Sequence, residues 1–286
     1  MKYRSFGDTG IAVSEIALGG LLARYEGVCG HPSAQIKKNI YLEALAQGIS
    51  LFDMGYGDEV YIPDELKGNS GSHSFALKFT APDPDMLRFT VQSHLTNLHR
   101  DAIDILRIHH KDFVASDRLR ETIYALRESG EIRSLCLIRH YLDDQRDYIE
   151  SGPTEESDGD LVMYNYVCRG QSTGIDKAME QGKGVLVMKA LGGQWIGWDD
   201  KVSPHWSRTK KEALPEFAPK RDKVAENLDL IYPVSVGPWG DLAEAGHDRP
   251  RTSAAVQWAL QNPGVSSVLV AVSSVDELEE VLDVVH

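Results

Sequence analysis

Eight short apolar runs punctuate the chain, at Glu15–Gly20, Ile49–Met54, Phe75–Thr80, Ile105–His109, Ile132–Ile138, Leu161–Val167, Gly184–Leu191 and Val265–Val272. Their length and their Val, Ile, Leu and Phe content predict buried strands. Between them the apolar positions change period. Asp85–Leu98, Asp117–Glu128 and Thr252–Gln261 read as amphipathic helices, and in the last of these Ala255, Val256, Ala259 and Leu260 share one helix face. Asp83-Pro84 supplies a cap and a first-turn proline for the first. Ahead of the first run, Lys2–Phe6 and Ile11–Val13 flank the turn Gly7-Asp8-Thr9-Gly10 and predict a small β-hairpin.

Strand and helix in alternation imply right-handed crossovers and a parallel sheet. Eight such units close into a (β/α)8 TIM barrel. An open doubly wound sheet would want a G-x-G-x-x-G turn after its first strand, and "ALGGLLARYEG" is not one. The expected architecture is therefore a single α/β barrel domain over residues 1–286 with an N-terminal hairpin. One stretch breaks the rhythm. Residues 194–251, after the seventh run, are too long for an ordinary connection and hold Trp195, Trp198, Trp206 and Trp239 together with Pro204, Pro215, Pro219, Pro233 and Pro238. This insertion either covers one end of the barrel or serves as a lid or pocket wall, since active sites of barrels lie on the face it follows.

Bulk composition narrows the partners. Of 286 residues, 42% are hydrophobic and 26% charged, as in an ordinary folded protein. A net charge of −13 argues against nucleic acid or an anionic membrane as partner. Cys29, Cys136 and Cys168 are odd in number, far apart and without metal-site spacing, which suits a reducing compartment. The opening MKYRSFGDTG has no apolar core like that of a signal peptide, and no apolar run approaches membrane-spanning length. The expectation is a cytoplasmic protein acting on a small molecule, with no metal.

Chemistry collects at the strand ends, which in a barrel share one mouth. The second run ends at Asp53, with Tyr56 in the loop beyond; the third carries Lys78; the fourth ends at His109 and His110. A Lys between Leu77 and Phe79 in a buried strand needs a partner, and Asp53 on the adjacent strand is the obvious one. A tyrosine hydroxyl titrates at about 10, too high for facile proton transfer at neutral pH. A neighbouring ammonium favours the phenolate and lowers that value. A neutral His beside them can orient a substrate oxygen. Such a centre suits a carbonyl oxygen that gains negative charge as a hydride arrives.

At this point the sequence resembles the aldo-keto reductases, nearly end to end. "MKYRSFGDTGIAVSEIALGG", "GISLFDMGYGDE", "FALKF", "DILRIHHKD", "SGEIRSLCLIRH", "VMYNYV", "GVLVMKALGG" and "SAAVQWALQNPGVSSVLV" follow in the family's order. The resemblance implies a (β/α)8 barrel using NADPH or NADH, with an Asp, Tyr, Lys, His tetrad at Asp53, Tyr56, Lys78 and His109. It implies that the cofactor lies against Arg139, Asn165, Lys189, Leu191, Gly192, Ser273 and Ser274. It also implies a substrate pocket walled by Tyr25, His110, Trp195 and Trp198.

The departures shape the alternatives. The family's Tyr lies five positions after its Asp; here the step is three, leaving Tyr61 as a second candidate for proton donor. Where the family has Gly-Val-Ser-Asn to hold the nicotinamide, this chain has Cys136-Leu137-Ile138-Arg139. From residue 264 to residue 286 there is no Lys or Arg, while Asp276, Glu277, Glu279, Glu280 and Asp283 are acidic. Two readings of the chemistry therefore stand: an NAD(P)H-dependent reductase of a small carbonyl compound, or a lyase, dehydratase or isomerase on the same barrel that binds no nicotinamide. In the second, Arg139 binds an anionic substrate group in the emptied cleft; the plainer role for Arg139 is a surface ion pair. A third class, a non-catalytic member that binds a protein partner, has no extra module or charged tail to support it.

Overall fold

The computed structural model describes residues 1–19, 33–55, 61–69, 72–166, 168–192, 240–247, 250–272 and 274–283. Among them ten strands form: β1 (Tyr3–Ser5), β2 (Ala12–Ser14), β3 (Ile16–Leu18), β4 (Leu51–Asp53), β5 (Ser74–Phe79), β6 (Ile103–His109), β7 (Ile132–Ile138), β8 (Gly159–Met163), β9 (Gly184–Met188) and β10 (Ser267–Val270). The described helices are α1 (Ala34–Ala46), α2 (Pro84–Leu98), α3 (His110–Ala115), α4 (Asp117–Glu128), α5 (Leu142–Ser151), α6 (Ser172–Glu180), α7 (Thr252–Leu260) and α8 (Val275–Leu282). β1 and β2 pair as the antiparallel hairpin, and β3 to β10 close into a parallel barrel in chain order. The molecule is a (β/α)8 barrel. No described helix is long and apolar enough to cross a membrane.

Local chemistry sets the helix starts. Asp83 accepts the backbone N–H groups of Asp85 (2.9 Å) and Met86 (3.1 Å), and Pro84 opens α2 where its missing donor costs nothing. Ser33 and Ser116 cap α1 and α4 in the same way. Each of the eight apolar runs overlaps a barrel strand, with shifted ends in most. The sixth differs most: it starts at Gly159 and stops at Met163 rather than spanning residues 161 to 167, because Asp160 interrupts the apolar pattern at a position where the charge has a buried partner. Most of the 194–251 insertion, including Trp195, Trp198, Trp206 and Trp239, lies outside the described residues.

Two cores result from the alternation of each strand. Outward residues such as Phe52, Leu77, Leu106, Leu137 and Val187 pack against the helices. Inward residues Ala17, Leu51, Ala76, Ile105, Cys136, Ile138, Leu161 and Leu186 fill the barrel, with Phe6, Ile11 and Val13 of the hairpin region joining them. Phe6 is fully buried. Gly159 and Gly184, opposite each other on β8 and β9, make room for its ring; a Cβ on Gly184 would lie 2.2 Å from Phe6 Cδ2. The barrel floor is thus closed, which leaves the C-terminal ends of the strands as its open face.

Candidate active site

Strand alternation decides which charged groups enter the barrel. Leu51, Ala76 and Ile105 belong to the inner core. Two residues further along the same strands, Asp53, Lys78 and Arg107 point to the same side, and His109 follows Arg107 by two. Four polar groups thereby rise above the apolar filling at the C-terminal ends of three consecutive strands. Three of them, Asp53, Lys78 and His109, are the expected ones; Tyr56 lies outside the described residues.

Asp53 is buried, and its Oδ1 accepts the N–H of Gly55 at 2.8 Å while pairing with the Arg107 guanidinium. Arg107, two residues before His109 on β6, is a cation at this carboxylate in addition to the expected Lys78. Lys78 stands directly across from Arg107 in the β5–β6 register, and Cys136 faces Arg107 from β7. Burial pushes the Cys136 thiol up, with the Arg107 charge opposing. The backbone N–H of Lys78 donates to the Gly55 carbonyl at 3.2 Å, which ties the turn after β4 to β5.

The His109 ring is 8% exposed and lies 6.2 Å from the His140 ring and 5.3 Å from that of Tyr141, centre to centre. Lys189 Nζ approaches His140 Nε2 at 3.4 Å. Lys111 Nζ sits 3.7 Å from the centre of the Tyr141 ring, and its hydrogen bond with Tyr141 raises its pKa. His140 and Tyr141 stand just past β7, outside the apolar run that ends at Ile138, so the strand pattern alone does not single them out.

Two expected residues turn elsewhere. Arg139 is fully buried on the outer side of the sheet: its Nε donates to Asp160 at 2.7 Å, and its other nitrogens donate to Asp147 (2.8 Å) and Thr154 (3.0 Å). It is neither at the surface nor aimed into the mouth. His110 begins α3 and directs Nδ1 to Asp144 at 2.9 Å, with Asp147 3.7 Å from Nε2, so its ring serves the α3–α5 contact. Tyr61 packs against the outer core with its ring 5.9 Å from that of Tyr41, which stacks on Phe52. The alternative proton donor thus sits among residues that face the helices.

At the ends of β8 and β9, Asn165 Nδ2 donates to the Lys189 carbonyl (2.9 Å) and its Oδ1 accepts the Cys168 N–H (2.8 Å). Lys189 holds a positive φ of 60°, and the Gly192 N–H donates back to its carbonyl at 2.9 Å. Leu191 is 6% exposed in the same turn. After β10, Ser274 Oγ accepts the Glu277 N–H at 3.2 Å, and Asp276 and Glu277 occupy the first turn of α8. An anionic group brought to this turn would meet like charge from the exposed Asp276. Tyr25, Ser273, Trp195 and Trp198 lie outside the described residues.

Comparison with known proteins agrees with the barrel fold. The sequence model of the Aldo/keto reductase family matches residues 80–286. A curated relative, L-galactose dehydrogenase of Arabidopsis thaliana, is 26% identical over 302 residues, spanning 98% of this chain and 86% of its own. An aldo-keto reductase from Bacillus halodurans in its apo form superposes with a TM-score of 0.68 at 19% identity, over 100% of this chain and 90% of its own. Its holo form gives 0.68 at 19%, over 100% and 91%. At that identity the two structures speak for the fold.

Proposed function

The chain belongs to the aldo/keto reductase family of oxidoreductases, and on that premise we propose that it reduces a small carbonyl compound with NADH or NADPH. The observation that carries the reading is the placement of Asp53, Lys78 and His109 at the C-terminal ends of three consecutive parallel strands, all inward. Tyr56 donates the proton to the carbonyl oxygen. The Lys78 ammonium favours the phenolate left behind, and Asp53 anchors the cationic side of the centre. His109 hydrogen-bonds the carbonyl oxygen and orients it. Asn165, Lys189, Leu191, Gly192, Ser273 and Ser274 hold the dinucleotide, which when bound supplies the hydride. The 194–251 insertion, with Trp195 and Trp198, and Tyr25 wall the substrate.

Fluorescence titration of the purified protein with NADH and NADPH is the test. Micromolar binding of either supports the reading; no binding at millimolar cofactor overturns it. A carbonyl screen follows, with L-galactose, the sugar in the name of the Arabidopsis relative, tried in the oxidative direction. Tyr56→Phe is expected to lower kcat by about 10²–10⁴-fold, leaving circular dichroism and cofactor Kd unchanged. Tyr61→Phe is expected to retain activity. The reverse pattern would move the proton donor to Tyr61.

A further inference from the structure

Three aromatic rings meet where β6 and β7 end. The His109 ring lies 5.3 Å from that of Tyr141 at an interplanar angle of 52°, and 6.2 Å from that of His140 at 79°. His140 and Tyr141 close the triangle at 5.6 Å and 81°. His109 is opposite Ile138 in the β6–β7 register, so Tyr141 stands three residues beyond it at the exit of the neighbouring strand. Tyr141 is half-buried, and the proposed reaction does not use it.

Tyr141 is held from two sides. It is the residue before α5, with extended backbone at φ −84° and ψ 154°. The exposed Lys111 places its ammonium 3.7 Å from the centre of the Tyr141 ring. Behind the sheet, α5 is tied to the strand ends twice: His110 Nδ1 lies 2.9 Å from Asp144, and Arg139 donates to Asp147 at 2.8 Å. His110 directly follows His109, and Arg139 directly precedes His140. The two strand exits that carry the rings in front therefore also carry the anchors behind.

We propose that Tyr141 is a positioning residue for His109: its ring, fixed by Lys111 and by the start of α5, packs on the imidazole and sets which edge of it faces the barrel mouth. The outer torsion of a histidine is broad and roughly two-fold, so an imidazole without packed neighbours turns over at little intrinsic cost. Turning over exchanges two unlike nitrogens, since a neutral imidazole donates from one and accepts at the other. A ring free to turn presents either nitrogen to the same surroundings and so populates both tautomers. Neighbouring rings packed at tilted and edge-on angles distinguish the two orientations and hold one. The use of that orientation, a donor aimed at a carbonyl oxygen, rests on the reductase reading; the fixing of the ring does not.

The test compares wild type with Tyr141→Phe, which keeps the ring, and Tyr141→Leu, which removes it. The first readout needs no turnover: ¹⁵N-labelled histidine rings are recorded by NMR at about pH 8.5, where an ordinary imidazole is neutral, with the His109 signals identified by their loss in His109→Gln. Wild type and Tyr141→Phe should show one tautomer of His109, and Tyr141→Leu a mixture of two. A mixture in wild type overturns the inference, as does the wild-type tautomer unchanged in Tyr141→Leu. A merely structural Tyr141 would lower the unfolding temperature and leave the tautomer alone. The second readout is carbonyl reduction. Tyr141→Leu should lower kcat by about 10–100-fold with cofactor Kd unchanged, and Tyr141→Phe should retain it. Full kcat in Tyr141→Leu overturns the inference, and so does an equal loss in both variants, which would make the hydroxyl the acting group. If Tyr141→Leu does not fold, Tyr141→Gln, a polar chain without a ring, carries the same comparison. A wild type that binds neither cofactor overturns the reductase reading, and the His109 tautomer still decides the role of Tyr141.

Discussion

Arg107 lies within β6 and Arg139 just past β7, yet their guanidinium groups leave opposite faces of the sheet. Ile105 and Ile138 are inward, so Arg107 follows the inner face and Arg139 the outer one. Behind the sheet Arg139 meets Asp160, whose carboxyl is pushed up by burial, with Arg139 opposing that rise. Removing one partner of such a pair leaves the other charge buried alone. Arg139→Met is expected to destabilise the fold by about 3–5 kcal/mol, read by denaturant unfolding, with NADH affinity unchanged. A raised carboxyl pKa in the folded state means stability lost as pH rises through it, so the deficit of Arg139→Met should shrink as pH falls toward the ordinary Asp value of 3.8. A deficit that is flat with pH, or a large loss of cofactor affinity, would place the Arg139 charge in the mouth instead.

At the scale of elements, the hairpin is a plug. Phe6 passes from β1 into the barrel floor because β8 and β9 begin with glycine at the two positions its ring touches. Phe6→Ala should cost about 3–5 kcal/mol, the usual range for removing a fully buried ring. Gly184→Ala puts a methyl into that ring and should also destabilise. Combined, the two should cost less than their sum, because the cavity left by Phe6 accepts the added methyl. Additive costs in a double-mutant cycle would mean that Gly184 is needed for its backbone alone. The plug also marks what a sequence discloses about elements. The hairpin, the α4 bounds and the eight barrel strands were legible, since each rests on local period and turn chemistry. The plugging role was not, because contact between Phe6 and Gly184 depends on closure of the barrel. The site divides the same way. Asp53, Lys78 and His109 were legible as strand-end residues and as family motif positions. Arg107 was hidden by its apolar neighbours Leu106 and Ile108, and the direction of Arg139 depends on where its strand ends.

At the scale of the whole molecule, the net charge of −13 is distributed so that the end of the chain reinforces it. Asp276 and Glu277 stand in the first turn of α8, where a free helix N-terminus would otherwise attract a phosphate. Ser274 spends its Oγ on the Glu277 N–H, which removes one of the donors a phosphate could use. A dianionic 2′-phosphate brought to this end would be repelled both by the near acids and by the general field, while a ribose hydroxyl would find acceptors. NADH is therefore expected to bind more tightly than NADPH, by tenfold or so if the exposed Asp276 acts at an effective dielectric of about 20. Because the discrimination is repulsive and solvent-exposed, salt should narrow it: raising ionic strength from about 0.05 to 0.5 M shortens the screening length several-fold and should strengthen NADPH binding relative to NADH. Asp276→Lys, at an exposed position, should narrow the gap further by replacing repulsion with attraction. If NADPH instead binds more tightly and weakens with salt, a cation from elsewhere in the chain meets the phosphate, and the acids of α8 do not set the cofactor preference.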